Sequence, residues 1–254
     1  MRTADWTTSV SVLDRVTAVF EAFGPQDDGL GVSELARRAN LPKSTVSRIV
    51  AELVGQRLLD RDGDKVYLGI RLFELGQTVE QPRRLRRLAL PVMTELRNLT
   101  GQTVHLAVLD GADVVMIAIV RGEPTTKPPA RVGQRLPAHA TALGKALLAY
   151  SPHETVVGIS SAGLVPRTPQ TICDPVHLHQ ELVEIRRTGL SVEREECVAD
   201  QVCVASPILG HGGAPWAAIS VSGPVTELWP DRGAPAVRAA ALSLTRRVTT
   251  GRSA

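Results

Sequence analysis

Two short amphipathic helices joined by a proline-containing turn restrict the fold of this chain more than any other feature. Between residues 30 and 53, apolar side chains recur at the i, i+3, i+4, i+7 spacing of one helical face. Pro42 disfavours helical geometry at Leu41 and suits the first turn of the helix that follows. The predicted buried positions are Leu35, Ala36 and Ala39, then Val46, Ile49, Val50 and Leu53. The pattern predicts a helix-turn-helix.

The second of these helices leaves a polar and basic face outside. Short hydroxyls and long cations of this kind reach base edges and phosphates when a helix enters the major groove of DNA. Residues 30–57 hold five cations against two carboxylates, which favours a nucleic-acid partner. The predicted contacts on this helix are Lys43, Ser44, Thr45, Ser47 and Arg48. Periodicity alone leaves open a protein that never contacts nucleic acid.

A β-hairpin is predicted directly after the second helix. Apolar residues flank Asp62-Gly63, and an Asp-Gly pair in that setting is the strongest short-range hairpin signal. A hairpin in this place is a wing, and Arg61 and Lys65 near its tip are predicted to meet phosphates. Arg38 is a further predicted DNA contact. A hairpin that only closes the hydrophobic core is the alternative.

The rest of the chain predicts a second domain of α+β class. With 254 residues the chain is too long for a lone DNA-binding module. We predict a DNA-binding domain over 1–69, a linker helix within 70–82 and a second domain over 83–254. The predicted helices are 9–23, 70–80, 84–99, 141–150, 176–188 and 235–249. The predicted strands after residue 100 are 103–109, 113–120, 190–195, 202–209 and 216–222. An antiparallel sheet flanked by helices is typical of sensor domains.

Composition excludes several other classes of protein. Three cysteines without a C-x-x-C pair indicate reduced thiols, and no signal-peptide pattern is present, so we expect a soluble cytoplasmic protein. The apolar run 114–120 is far too short to span a membrane. His177 and His179 lack a third ligand at suitable spacing, so no metal or cofactor is expected. Four arginines within 83–87 are interpreted as a solvated face rather than a second phosphate contact.

The order of several motifs resembles that of one family. The run Leu35–Arg48, then Tyr67-Leu-Gly69 and Leu72–Gly76, is similar to the winged-helix half of the IclR family of bacterial transcriptional regulators. The C-terminal motifs of this resemblance are His139–Ala149, Thr171-Ile172, Glu195-Glu196, Val202–Ile208 and Ala217–Pro224. The resemblance implies a GAF-like C-terminal domain that binds a small metabolite. It also implies a regulator, expected to be a repressor, that forms a homodimer or dimer of dimers on an inverted-repeat operator in double-stranded DNA.

An effector site is expected on one face of the last predicted strands. Ser220 and Ser222 point to the same face, and a buried hydroxyl without a partner costs about 1–3 kcal/mol. A carboxylate or carbonyl ligand would supply acceptors for both. The resemblance assigns the effector site to His139, Thr141, Ala142, Gly144, Glu193, Cys203, Ser220 and Ser222. Without it, hydroxyls bonded to neighbouring backbone are the simpler interpretation. The sequence departs from the family at Ala199-Asp200-Gln201, where a glycine is usual.

One enzyme class needs separate treatment. His139 and Cys203 could be read as the pair of a cysteine hydrolase. No glycine-rich elbow surrounds either residue, and Cys203 lies within an apolar strand, where a thiolate is disfavoured. The sequence therefore predicts a binding protein rather than an enzyme.

Overall fold

The computed structural model describes residues 11–122, 130–226 and 230–250, with no side chains described at 230–232. The chain divides between Arg83 and Arg84 into two compact units, called here the N-terminal unit and the C-terminal unit. The elements of the N-terminal unit are α1 (Val12–Glu21), β1 (Leu30–Gly31), α2 (Val32–Ala39), α3 (Lys43–Gly55), β2 (Leu59–Asp62), β3 (Lys65–Leu68) and α4 (Ile70–Gly76).

The helices of the N-terminal unit begin and end where the sequence supplies caps. At the start of α1, Ser11 accepts a hydrogen bond from the backbone of Asp14, whose carboxylate accepts one from the Ser11 backbone. The α2 helix ends at Asn40, whose φ of 52° lies in the left-handed region that asparagine tolerates. Pro42 then caps α3. The helix-turn-helix prediction is confirmed, while positions 9 and 10 of the predicted first helix lie outside the described residues.

The predicted hairpin forms, with its turn one residue later than expected. Asp62 pairs with Lys65, so the two-residue loop is Gly63-Asp64 rather than Asp62-Gly63. Gly63 takes a φ of 54°, which glycine adopts without steric cost. The short strand β1, which was not predicted, pairs with β3 and gives the strand order β1-β3-β2.

The segment after the wing corrects two predicted boundaries. The linker helix α4 ends at Gly76 rather than residue 80, and the next helix, α5 (Glu80–Thr100), begins before Arg84. Thr78 lies between the helices and donates its hydroxyl to the Leu75 carbonyl at 2.7 Å, which caps the end of α4. Glu80 supplies a carboxylate in the first turn of α5, where the helix dipole favours negative charge.

The C-terminal unit contains one six-stranded antiparallel sheet in the order β6-β5-β4-β9-β8-β7. Its strands are β4 (Thr103–Asp110), β5 (Asp113–Val120), β6 (Arg135–Pro137), β7 (Ser191–Arg194), β8 (Gln201–Leu209) and β9 (Pro215–Pro224). Its helices after α5 are α6 (Ala142–Leu148), α7 (His153–Ser161), α8 (Pro175–Thr188) and α9 (Pro230–Thr250). These bounds confirm the predicted α+β class, although β6 and α7 were not predicted.

Each face of this sheet is covered by its own pair of helices. The apolar stripe of α5 and the buried face of α9 pack on alternate residues of the central strands, among them Val104, Ile219 and Val221. On the opposite face, α6 and α8 pack against smaller residues such as Ala205 and Ala218. Small side chains on this second face leave room for polar groups beside them. Within the described parts of the chain, no helix is long and apolar enough to cross a membrane.

Candidate DNA-contact helix and effector site

The outer face of α3 presents hydroxyls and cations to solvent. Ser44 and Ser47 are exposed, and so are Lys43 and Arg48, which no described residue engages in a hydrogen bond or ion pair. The opposite stripe of α3 is buried at Val46, Ile49, Val50 and Leu53. Thr45 differs from its neighbours because it is half-buried, and together with Arg48 it lines a cleft of about 290 Å³ against α1. The helix is thus held by one face and free on the other.

Arg38 has an internal role that the sequence did not reveal. Its guanidinium contacts Asp27 at 2.7 Å and Glu34 at 2.8 Å, and donates to the Ala22 carbonyl at 3.2 Å. Hydrogen bonds from Arg37 and Arg38 lower the pKa of Glu34 to about 2. These contacts tie α2 to the segment after α1 and give Arg38 a structural role, while its contact with DNA stays a prediction.

The two wing cations differ in what they contact. Lys65 donates to the Asp28 carbonyl at 2.7 Å and lies 3.4 Å from the Asp28 carboxylate, so it is already engaged within the unit. Arg61 is exposed, and its one hydrogen bond to a described residue goes to the carbonyl of Gly63 at 3.2 Å, within its own turn. Arg61 therefore remains the more available of the two for a phosphate.

Strand register in the C-terminal unit brings seven polar side chains to the sheet face that α6 and α8 cover. Cross-strand pairs join His105 to Ser220, Ser220 to Ala205, and Ala205 to Ser191. A second row joins Thr103 to Ser222, Ser222 to Cys203, and Cys203 to Glu193. The polar grid, as we call this set, consists of Thr103, His105, Ser191, Glu193, Cys203, Ser220 and Ser222. The three predicted strand residues Cys203, Ser220 and Ser222 therefore do lie together, with Glu193 beside them.

Two hydroxyls within the polar grid have no nitrogen or oxygen partner among the described residues. Ser191 and Ser220 are completely buried, and within the described parts of the chain neither hydroxyl bonds to a nitrogen or oxygen atom. The hydroxyl of Ser220 contacts the Cys203 thiol, and that contact lowers the thiol pKa slightly against the effect of burial. The hydroxyl of Ser222 lies 3.5 Å from Nδ1 of His105. Burial lowers the pKa of His105 to about 4, so this imidazole is neutral. A buried hydroxyl without a partner costs about 1–3 kcal/mol, which a ligand with acceptor oxygens would recover.

Glu193 is the acidic member of the grid. Its Oε1 accepts hydrogen bonds from the backbone of Glu196 at 2.6 Å and of Cys197 at 3.0 Å. Burial raises the pKa of Glu193 to about 7 in spite of these two donors. Burial also raises the pKa of the Cys203 thiol to about 12, with a further contribution from the Glu193 charge. A thiol with this pKa is no nucleophile at neutral pH, which removes the basis of the hydrolase alternative.

A buried lysine on α6 was not predicted from the sequence. Lys145 on α6 is completely buried, and its Nζ lies 2.5 Å from Glu181 and 2.6 Å from Glu196. These three residues lie far apart in sequence, on α6, α8 and the segment after β7. The one available signal was a lysine within the Ala/Leu-rich run of α6, since buried lysines in proteins are almost always paired.

Four other predicted site residues are explained by packing. His139 Nε2 lies 3.1 Å from the Val165 carbonyl, and Thr141 caps α6 by accepting from the Gly144 backbone at 3.0 Å. A Cβ at Gly144 would come within 2.2 Å of the Ala138 backbone, so only glycine fits there. Ala142 is buried in the core beneath α6. Their role as ligand contacts stays a prediction.

The family departure at 199–201 keeps the backbone geometry that glycine would favour. Asp200 has a φ of 59° and its backbone donates to the Glu195 carboxylate at 2.9 Å. Aspartate is one of the few other residues that tolerate the left-handed region. The turn between β7 and β8 is therefore preserved without glycine.

Comparison with known proteins agrees with both units. The model of the IclR helix-turn-helix domain matches residues 12–63, and the model of the bacterial transcriptional regulator IclR C-terminal domain matches residues 77–248. The chain belongs to the IclR family of bacterial transcriptional regulators. It is 32% identical over 247 residues to the transcriptional repressor IclR of Escherichia coli, covering 94% of this chain and 90% of that protein.

Further relatives extend this finding. The chain is 33% identical over 223 residues to the transcriptional repressor AllR of Klebsiella pneumoniae, covering 87% of this chain and 82% of AllR. An IclR homologue from Microbacterium hydrocarbonoxydans, solved with 4-hydroxybenzoate, superposes with a TM-score of 0.86 at 32% identity, covering 94% of this chain and 99% of the other. The IclR of Thermotoga maritima gives a TM-score of 0.75 at 30% identity, covering 93% and 98%. This IclR-family protein is a DNA-binding transcriptional regulator modulated by an effector, not an enzyme.

Proposed function

We propose that this IclR-family regulator is a repressor that reads its operator through the exposed face of α3. Ser44, Ser47 and Arg48 face solvent and are placed to meet base edges, while Lys43 at the start of the helix is placed to meet the phosphate backbone. Thr45 contributes from the side that faces α1. Arg61 on the wing adds a phosphate contact. Transcriptional regulation places the protein in the bacterial cytoplasm, where the DNA is.

Two copies of the chain are needed for a specific site. One winged helix covers too little DNA for tight specific binding at physiological salt, so we propose that a dimer reads an inverted repeat. The N-terminal unit offers apolar surface for pairing on α1 and around α4. Exposed apolar side chains there are Val12, Leu13, Ile70, Phe73 and Leu75. Dimers would associate further into a dimer of dimers.

The proposed effector is a small carboxylate bound over the polar grid. The observation that carries this proposal is the completely buried hydroxyl of Ser220, which has no nitrogen or oxygen partner among the described residues and would donate to a carboxylate. Ser191 lies two strands away on the same face and offers a second such hydroxyl to another polar group of the ligand. The Microbacterium homologue was solved in complex with a small carboxylate, 4-hydroxybenzoate. Glu193 and Cys203 would border the ligand on β7 and β8, and Ser222 on β9.

The test removes the two β9 hydroxyls together. DNA from the region upstream of the gene serves as the operator probe, and a panel of small carboxylates that includes 4-hydroxybenzoate serves as effector candidates. Ser220→Ala with Ser222→Ala is expected to abolish the response to any carboxylate that changes operator affinity, because its acceptor oxygens lose both donors. Operator binding by the ligand-free double variant should equal that of the wild type, since neither residue belongs to the N-terminal unit. If the double variant responds normally, the effector binds at a site that does not include Ser220 and Ser222.

A further inference from the structure

One buried ammonium stands among three carboxylates on the α6 side of the sheet. Lys145 Nζ is paired with Glu181 and Glu196, and Glu193 lies next to Glu196 in the segment that follows β7. Lys145 is completely buried, while Glu193 and Glu196 are 4% and 7% exposed. Oε2 of Glu196 is buried without a hydrogen-bond partner among the described residues. If all four groups were ionised, the cluster would carry two excess negative charges in a low-dielectric setting, which is costly.

Glu193 is the member of this cluster best placed to hold a proton. Glu181 and Glu196 each contact the lysine ammonium, whereas Glu193 accepts hydrogen bonds from two backbone amides, both at Oε1. No described residue donates to its Oε2. Burial and the neighbouring Glu196 charge raise the pKa of Glu193 to about 7, against a smaller opposing effect of Lys145. Near neutral pH, Glu193 is therefore present in both its protonated and its ionised form.

The described groups packed around Glu193 are mostly neutral or acidic. Lys145 faces it from α6, Glu196 and Cys197 from the segment after β7, and Cys203 from β8. Both thiols are neutral, with pKa values raised to about 11 and about 12 by burial. On the rest of this face, burial lowers the pKa values of His105 and His139, so both imidazoles are neutral as well. Within the described residues, the guanidinium of Arg167 acts on the neighbouring Cys197, whereas the cation that acts on Glu193 itself is Lys145, which is already paired.

An arriving carboxylate would add a further negative charge next to this cluster. Cross-strand pairing places Glu193 beside Cys203, and Cys203 beside Ser222, so the ligand proposed above lies within two strands of Glu193. We propose that the regulator binds its carboxylate effector together with one proton, taken from solvent by Glu193, and that it therefore selects monocarboxylates over dicarboxylates. The protonated Oε2 then donates a hydrogen bond to the ligand carboxylate, and the net charge of the site is unchanged. This inference rests on the proposed effector site.

The experiment follows the Glu193 carboxyl directly. The full chain, labelled with carbon-13 at the glutamate carboxyls, is titrated by NMR from pH 4 to 9, and Glu193→Gln identifies the resonance. We expect a midpoint near pH 7 in the free protein and a rise of at least one pH unit with saturating 4-hydroxybenzoate. A midpoint below pH 5 in the free protein, or no rise with bound 4-hydroxybenzoate, would overturn the inference.

Binding measurements provide the second readout. The affinity for 4-hydroxybenzoate is expected to fall as the pH rises from the Glu193 midpoint of the free protein, near pH 7, to the higher midpoint of the complex, by up to about tenfold per pH unit in that interval. Glu193→Gln should abolish this dependence, whereas Glu184→Gln, at an exposed glutamate paired with Arg187 on α8, should retain it. Terephthalate, with a second carboxylate in place of the hydroxyl, should bind at least tenfold more weakly. If the pH dependence disappears in Glu196→Gln but persists in Glu193→Gln, the assignment to Glu193 is wrong.

The two proposals fail in distinguishable ways. If 4-hydroxybenzoate binds at no pH, that result counts against the ligand of the proposed function, and the Glu193 midpoint in the free chain still decides the proton inference. If 4-hydroxybenzoate binds with the same affinity from pH 6.5 to 8.5 and Ser220→Ala with Ser222→Ala abolishes binding, the effector site stands and proton uptake is refuted.

Discussion

On α3 of the N-terminal unit, the polar side chains assigned to function face solvent, whereas those on the sheet of the C-terminal unit are buried. Lys43 and Arg48 contact no described partner, and Val46 and Ile49 on the other face of α3 hold the helix. In the C-terminal unit, Glu193 and Ser220 lie inside the core that stabilises the fold. The proposed sites therefore assign stability and function to separate residues in the first unit and to shared residues in the second.

The largest effect that would test this comparison is expected at Lys145. Lys145→Met removes the one ammonium that neutralises Glu181 and Glu196, and breaking a buried pair in this way costs about 3–5 kcal/mol. This loss of stability is measured as the difference in the free energy of unfolding by urea between the variant and the wild type at pH 7.5. The matched control is Arg187→Met, which breaks an exposed pair with Glu184 of similar length and should cost less than about 1 kcal/mol. Equal losses of unfolding free energy in the two variants would show that the buried cluster contributes no more to stability than an exposed ion pair.

The elements that the sequence predicted well are those with local signals. The helix-turn-helix follows from 3.6-residue periodicity and Pro42, and α8 follows from its periodicity and from Gly189, whose φ of 73° ends the helix. The two-residue strand β1 carries no periodicity, because it exists only through pairing with β3. The predicted boundary between α4 and α5 differs from the observed one, because α5 already begins at Glu80 and includes Pro82 in its first turn, where proline is tolerated.

In the candidate sites, even more of the arrangement depends on residues that are distant in sequence and so give no local signal. Alternation along β9 was enough to predict that Ser220 and Ser222 share a face, and the register confirms it. No pattern could place His105 beside them, because that neighbour comes from a strand more than a hundred residues away. The Lys145 cluster and the internal network of Arg38 were missed for the same reason: a charge on a helix looks solvated until the opposite element is known.

A smaller effect, on binding alone, is expected at Arg48. Arg48→Ala should weaken operator binding by about 1–3 kcal/mol and relax the base preference at one position, because a side chain that reads a base edge is lost. Thermal stability should not change, since Arg48 has no described partner within the unit. Competition between the upstream DNA and a random duplex of equal length gives the specificity ratio. Arg38→Ala is the contrasting variant, expected to lower the melting temperature and leave that ratio intact.

If Arg48→Ala bound both duplexes with an unchanged ratio, α3 would not be the helix that reads the bases. If it lowered the melting temperature as much as Arg38→Ala, the separation of stability from function in the N-terminal unit would fail. The proposed difference between the two units, in which only the C-terminal unit uses the same residues for stability and function, would then be wrong, although the helix-turn-helix fold would still stand.

The smallest effect is expected at Lys43 and appears in salt dependence rather than in specificity. Lys43→Ala should weaken binding to specific and random DNA alike and reduce the slope of log affinity against log salt by about 0.9, the value of one lost phosphate contact. Electrophoretic titrations between 50 and 300 mM potassium chloride measure both quantities. Lys65→Ala sharpens the result, because Lys65 is held by Asp28 at 2.7 Å and should leave the slope nearly unchanged. An equal fall in both variants would mean that Lys65 leaves Asp28 on binding and that the wing contacts the backbone after all. Exposure in the free protein would then be a poor guide to which cations of the N-terminal unit meet DNA.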